Sequence, residues 1–299
     1  MKISILTATY NRASYLINLY QSIIRNKERT PKVDCEWIII DDGSVDETKS
    51  KVQEFIGENK IDIIYRYQSN SGKMSAINYG TELASGDFII DCDSDDYLTN
   101  YAFELIKNYS RRLFENENIY AIAFLKKDEK GHISGNRFIG IEDLTTMFDL
   151  YFKYNIGGEK ILVYNAKIRK KFEHELVEGE NFVTEARMYH KMDDKYKILC
   201  VNDTIEIGEY IDDGYTRNID IFFRNCPNGF YYYFKEILEK DMTGCLREKK
   251  IYAIKHYILF GYLAGKKFNI SSIRNLDNKI LYTILYIPGL IKSKKFKYL

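Results

Sequence analysis

Over the first hundred residues the hydrophobic positions alternate between two spacings. Ile3–Ala8 is an uninterrupted apolar run rich in β-branched residues, which predicts a strand. Apolar residues then recur at Leu16, Leu19, Tyr20, Ile23 and Ile24, which predicts a helix over Ser14–Arg25. Strand runs follow at Glu36–Ile40, Ile61–Tyr67 and Phe88–Cys92. Helical patterns fall between them at Asp46–Ile56, with Asp46 as the N-cap, and at Lys73–Ala84, stopped by Ser85-Gly86. Strands alternating with helices imply βαβ units and a mostly parallel sheet flanked by helices, an α/β fold with a Rossmann-like half.

Further on the pattern loosens. Strands are predicted at Ala121–Lys126, Ile161–Tyr164, Ile198–Val201 and Ile205–Tyr210, and helices at Glu142–Tyr154 and Phe182–Met192. From about Thr216 the spacing is helical, at Phe222–Glu239 and Leu246–Leu263. The chain therefore divides into a part of mixed strands and helices over 1–215 and a helical C-terminal region over 216–299. Within the first, residues 1–100 carry the regular alternation and 101–215 the looser pattern.

The polar residues sit where such a sheet binds ligands, beyond the carboxyl ends of its strands. Thr9-Tyr10-Asn11-Arg12 follows the first strand, Asp41-Asp42 the second, Asn70-Ser71-Gly72-Lys73 the third and Asp93-Ser94-Asp95-Asp96 the fourth. Asp93-Ser94-Asp95 is a D-x-D. Acidic runs commonly decorate loops. Carboxylates beside a nucleotide diphosphate, however, require a divalent cation, Mn²⁺ or Mg²⁺, between like charges. Asp41-Asp42-Gly43-Ser44 reads either as a capped strand-to-helix turn or as an acceptor for a base N–H or a ribose hydroxyl. In the latter case Ser44 or Asp46 caps while Asp42 points outward. Lys73 is either a solvated lysine or a point charge for phosphate.

Composition changes this picture little. A net charge of +1 gives no reason to expect nucleic acid as a partner. The 26 tyrosines suit stacking on sugar faces, and codon bias explains them equally well. Five scattered cysteines with no C-x-x-C pair argue against a zinc knuckle or a disulfide framework and fit a reducing cytoplasm. The opening MKISILTATYNR has too short an apolar run for a signal peptide.

The segments ISILTATYNR, WIIIDDGSVDET, NSGKMSAINYG and ASGDFIIDCDSDDYL, in this order and spacing, resemble family-2 glycosyltransferases of the GT-A fold. Ala8 stands where that family often has proline. The resemblance implies an inverting, metal-dependent glycosyltransferase, of the hexosyltransferase class, with a nucleotide-sugar donor, UDP first among nucleotides. Thr9 and Tyr10 would border the base, Asp42 would meet the base, Asp93 the ribose, and Asp95 would be the principal metal ligand. The family's acidic base opens a helix, and EGENFVTEARMYHKM is the matching segment. Glu180 and Glu185 compete there; Glu185 keeps the distance to Lys191-Met192 and is preferred. The wording of 178–216 resembles bacterial enzymes of surface-polysaccharide synthesis, which implies a glycan or lipid-linked glycan acceptor.

Two other classes stay open. A nucleotidyltransferase would open with a Gly-rich basic loop, where this chain has Thr-Ala-Thr-Tyr-Asn-Arg. A non-catalytic nucleotide-sugar-binding module would keep the acidic cluster without turnover. At the far end, Lys279–Ile291 is mostly apolar and is followed by Lys292, Lys294, Lys295 and Lys297. It is too short to span a bilayer. Either it packs on the enzyme, or it places Leu281, Ile284, Leu285 and Ile287 in the inner face of the plasma membrane.

Overall fold

The computed structural model describes residues 1–208, 219–267 and 269–297. Packing separates two units. The first holds Met1–Thr146, Ile156–Glu173 and the described part of Lys191–Tyr210; the second holds Met147–Asn155, His174–His190 and the described part of Ile211–Leu299. The expected boundary at 215/216 lies outside the described residues.

In the first unit β1 (Lys2–Thr9), α1 (Leu16–Arg29), β2 (Asp34–Asp41), α2 (Thr48–Glu58), β3 (Asp62–Tyr67), α3 (Lys73–Leu83) and β4 (Phe88–Asp91) alternate as the spacing predicts. β1 pairs in parallel with β2 and β4, and β2 with β3. β1 and β2 are almost wholly buried, which is why they read as continuous apolar runs rather than alternating ones. Then come β5 (Asp96–Leu98), α4 (Ala102–Glu115), β6 (Ile119–Lys127), β7 (Leu144–Thr145), α5 (Met147–Phe152, in the second unit), β8 (Lys160–Asn165), α6 (Ala166–Arg169), α7 (Ala186–Asp193) and β9 (Lys197–Gly208). The described strands form one sheet in the order β3-β2-β1-β4-β8-β6-β9-β5, with β7 added on β9. Its first half is parallel. Beyond β4 the pairings are antiparallel except for β6 with β9.

Several expected elements come out differently, among them the helix expected over Phe182–Met192, which begins only at Ala186. The helix expected over Glu142–Tyr154 starts only at Met147, because Leu144 and Thr145 pair with Leu199 and Ile198 and satisfy their backbone there. The two strands expected at Ile198–Val201 and Ile205–Tyr210 are one, β9. The polar Asn202 and Asp203 between them fall where the register against β6 shifts. Tyr210 is outside the described residues.

The sole tryptophan, Trp37, is fully buried among Tyr20 and Phe55 and donates from Nε1 to Thr7 Oγ1 at 3.0 Å. Next to it in sequence, the buried Glu36 carboxylate accepts from Ser4 Oγ, Ser85 N and Ser85 Oγ and pairs with Lys2 Nζ at 2.7 Å. A side chain at Gly86 would meet Ser4 N at 2.8 Å, so only glycine lets the chain pass this network.

The second unit is helical: α8 (Ile219–Asn225), α9 (Pro227–Glu239), α10 (Arg247–Leu263) and α11 (Leu276–Lys297) accompany α5. The helix expected over Phe222–Glu239 is broken at Cys226. Pro227, lacking an N–H, starts a new helix instead of continuing one. Phe230, Phe234, Tyr257 and Phe260 form its core, with Phe230 and Phe234 both stacked on Phe260. α11 runs on through Pro288. Among the described residues no helix is long and apolar enough to cross a membrane. All five cysteines are free and buried, Cys35, Cys92 and Cys200 in the first unit and Cys226 and Cys245 in the second.

Candidate active site

Four loops leave the parallel half of the sheet at its carboxyl edge, and hydrogen bonds tie each to the next. After β1 the chain turns at Asn11, whose φ of 53° lies in the left-handed region that asparagine tolerates. Asn11 N donates to Ser44 Oγ and Val45 N donates back to Asn11 Oδ1, both at 2.8 Å. Ala13 N reaches Asp46 Oδ2, and Asp46 Oδ1 accepts from the backbone of Thr48, the first residue of α2. The first loop is thereby fixed to the second.

The second loop is fixed to the third by Asp42. Its Oδ1 accepts from Gln68 Nε2 at 2.7 Å and Ser71 N at 2.8 Å, and its Oδ2 from Gly72 N at 2.8 Å. Gly72, at φ 93°, caps α3 in a conformation that only glycine adopts without strain. Of the two readings of Asp41-Asp42, the one with Asp42 pointing outward does not match these hydrogen bonds. The side chain is 4% exposed and shapes the neighbouring loop. Asp41 is likewise engaged, accepting from Ser44 N and Tyr65 OH.

The third loop is fixed to the fourth by Lys73, whose Nζ lies 2.7 Å from Asp93 Oδ1. Asp96 N then bonds Asp93 O at 3.1 Å, turning the D-x-D loop. Of the other predicted residues, Thr9 is buried with Oγ1 lacking a hydrogen-bond partner among the described residues, and Tyr10 is 49% exposed beside it in the chain. Burial raises the Asp95 carboxyl above the usual range; Asp93 raises it further, and Arg12 and Lys126 oppose the shift.

Behind this loop lies a cluster that sequence reasoning missed. Lys126 Nζ sits 2.5 Å from Asp96 Oδ2, 3.0 Å from Glu159 and 3.7 Å from Glu206. Burial lifts Asp96 to about 7 against the pull of Lys126, and lifts Glu206 well above its usual range. A side chain at Gly208 would collide with Lys126 and Asp96. Asp93, Asp96 and Glu159 bring carboxylate oxygens within 4.8 Å of one another, a spacing that suits a metal ion. Each of these three already faces a lysine, Asp96 and Glu159 Lys126 and Asp93 Lys73, and Asp95 is not one of the three.

The two candidate bases belong to the second unit. Both oxygens of Glu180 are committed: Oε1 accepts from Asn228 N and Nδ2, and Oε2 from Gly229 N, so this carboxylate caps α9. Glu185 precedes α7, is half-buried, and accepts from Tyr189 OH at 2.7 Å.

A parallel βαβ half whose loops carry a D-x-D at the carboxyl edge, extended by antiparallel strands, is the arrangement of a GT-A-type fold. Residues 4–113 match the family model for Glycosyl transferase family 2. It is 27% identical over 243 residues to the uncharacterized glycosyltransferase MG060 of Mycoplasma genitalium, covering 79% of this chain and 71% of that one. It is 24% identical over 292 residues to the poly(ribitol-phosphate) beta-N-acetylglucosaminyltransferase TarS of Staphylococcus aureus. That match takes in 94% of this chain but only 46% of TarS, so the chain spans less than half of that relative. The fold is similar to the crystal structure of S. aureus TarS 1-349 in complex with UDP-GlcNAc, with a TM-score of 0.53 at 19% identity, covering 99% of this chain and 81% of the other. It is also similar to the mannosyltransferase PcManGT of Pyrobaculum calidifontis in complex with GDP-Man and Mn²⁺, with a TM-score of 0.55 at 12% identity, covering 99% and 84%.

Proposed function

We propose that this chain is an inverting glycosyltransferase that moves a sugar from a nucleoside-diphosphate donor, a UDP-sugar, onto a hydroxyl of a glycan or lipid-linked glycan in bacterial surface-polysaccharide synthesis. The observation that carries the reading is the stitched row of four loops that ends at Lys73, Asp93 and Asp95. The named ligands of the TarS and PcManGT complexes, UDP-GlcNAc and GDP-Man with Mn²⁺, support the donor class.

In this reading Thr9 and Tyr10 border the base. Asp42 holds the Gln68–Gly72 loop in the shape that receives it, and Asp93 faces the ribose. Asp95 would hold the divalent cation. An Mn²⁺ or Mg²⁺ ion there would supply positive charge beside the departing diphosphate. Lys73 adds a fixed positive charge on the same side. Glu185 takes the proton from the acceptor hydroxyl as its oxygen attacks the anomeric carbon. The bond to the diphosphate breaks on the opposite face, and one displacement inverts the configuration.

A thermal-shift panel of nucleotide sugars with and without Mn²⁺ tests this. Stabilisation by one donor, only with metal, and its loss in Asp95→Asn are expected. No shift with any donor, or a shift indifferent to EDTA, overturns the reading.

A further inference from the structure

α11 is apolar on two faces, and only one is covered. Asn278 and Tyr282 are buried, and Leu281, Leu285, Tyr286 and Leu290 pack on the core of the second unit with Tyr257 and Ile258 of α10. On the other side Leu276, Ile280, Ile284, Ile287 and Ile291 follow one another at steps of three and four residues, all exposed, Ile284 at 65% and Ile287 at 68%. Steps of three and four residues align side chains on a single helical stripe. This stripe differs from the set expected from the sequence, since Leu281 and Leu285 face inward. A water-exposed row of isoleucines is costly unless something covers it.

The charge pattern says what does. After Asp277 the sequence has no acidic residue, while Lys279, Lys292, Lys294, Lys295 and Lys297 follow. A second copy of the same helix offers a single acidic residue, Asp277 in its first turn, against these five lysines, and a nucleic acid offers nothing apolar to the isoleucines. An anionic lipid surface offers both: acyl chains for the stripe and headgroup phosphates for the lysines. We propose that the exposed stripe of α11, with the lysines that follow it, docks this chain on an anionic phospholipid bilayer as a surface-lying helix. The proposal stands apart from the reading of the active site, because none of these residues belongs to it.

The test is flotation of the full chain with vesicles of phosphatidylglycerol or of phosphatidylcholine, beside Ile284→Glu/Ile287→Glu and Lys294→Gln/Lys295→Gln. Ile284 and Ile287 lie outside the packed face, and an unchanged melting temperature verifies folding of both double variants. Wild type is expected to float with phosphatidylglycerol and to be released by salt. Each double variant should bind at least about tenfold more weakly, with donor-induced thermal shifts unchanged. Three results overturn the proposal: no binding to either vesicle, binding insensitive to the glutamates, or a dimer in sedimentation velocity that the glutamates dissolve, which would assign the stripe to a second copy.

Discussion

Lys73 Nζ stands 2.7 Å from Asp93 Oδ1, and this pair joins the last two of four loops at the sheet edge. Both groups are partly exposed, so the pair adds little stability, under about 1 kcal/mol. Its value is positional. Lys73→Met should leave the melting temperature almost unchanged and raise the KM for donor by about tenfold or more. A melting shift of many degrees with unaltered KM would make the pair a fold element only.

The two glutamates of the second unit should separate cleanly. Glu185→Gln is expected to lower turnover by about 10²–10⁴-fold while the donor-induced thermal shift survives. Glu180→Gln weakens the carboxylate cap of α9 and should cost about 1–2 kcal/mol of stability, with turnover per folded molecule near normal. Normal turnover in Glu185→Gln would remove it as the base.

His190 is buried between Tyr233, Phe148 and Phe152, and burial lowers it to about 3 from its ordinary 6.5. Above pH 6.5 neither the folded nor the unfolded imidazole carries a proton. As pH falls below 6.5 the unfolded chain takes up a proton that the folded one refuses. Stability should therefore decline by about 1.4 kcal/mol per pH unit toward pH 3 from this group alone. Denaturant unfolding of wild type and His190→Phe between pH 7 and 4.5 should show a shallower decline in the variant; parallel curves would refute the assignment.

Trp37 is the chain's one indole and is shielded from water. Its emission should be blue-shifted in the folded chain and move to the red when the first unit unfolds. Trp37→Ala removes the stack with Tyr20 and Phe55 and the bond to Thr7, and should cost about 3–5 kcal/mol by chemical denaturation. A cost below about 1 kcal/mol would mean the surroundings collapse into the space.

The parallel half was legible because each of its strands is a short apolar run followed at once by polar residues. The Lys126 cluster was not. Asp96, Lys126, Glu159 and Glu206 are far apart in sequence and meet only because β5 pairs antiparallel with β9, setting Asp96 opposite Gly208, while β6 sets Lys126 opposite Glu206. No local spacing encodes those pairings. α4 went unassigned although Ala102, Phe103, Ile106 and Leu113 are buried at helical spacing, since charged residues crowd the turns between them. For Asp42, sequence gave the position at a strand end but not the direction of the side chain, which the N–H groups of Ser71 and Gly72 decide. For α11, apolar residues on every side hid which face packs; the buried Asn278 and Tyr282 settle it.

The five buried thiols make the chain its own reporter of opening. Folded, it should resist a maleimide; each sulfur becomes reactive only when its surroundings come apart. Because Cys35, Cys92 and Cys200 lie in one unit and Cys226 and Cys245 in the other, mass spectrometry of peptides from a timed alkylation would read out the order in which the two halves breathe.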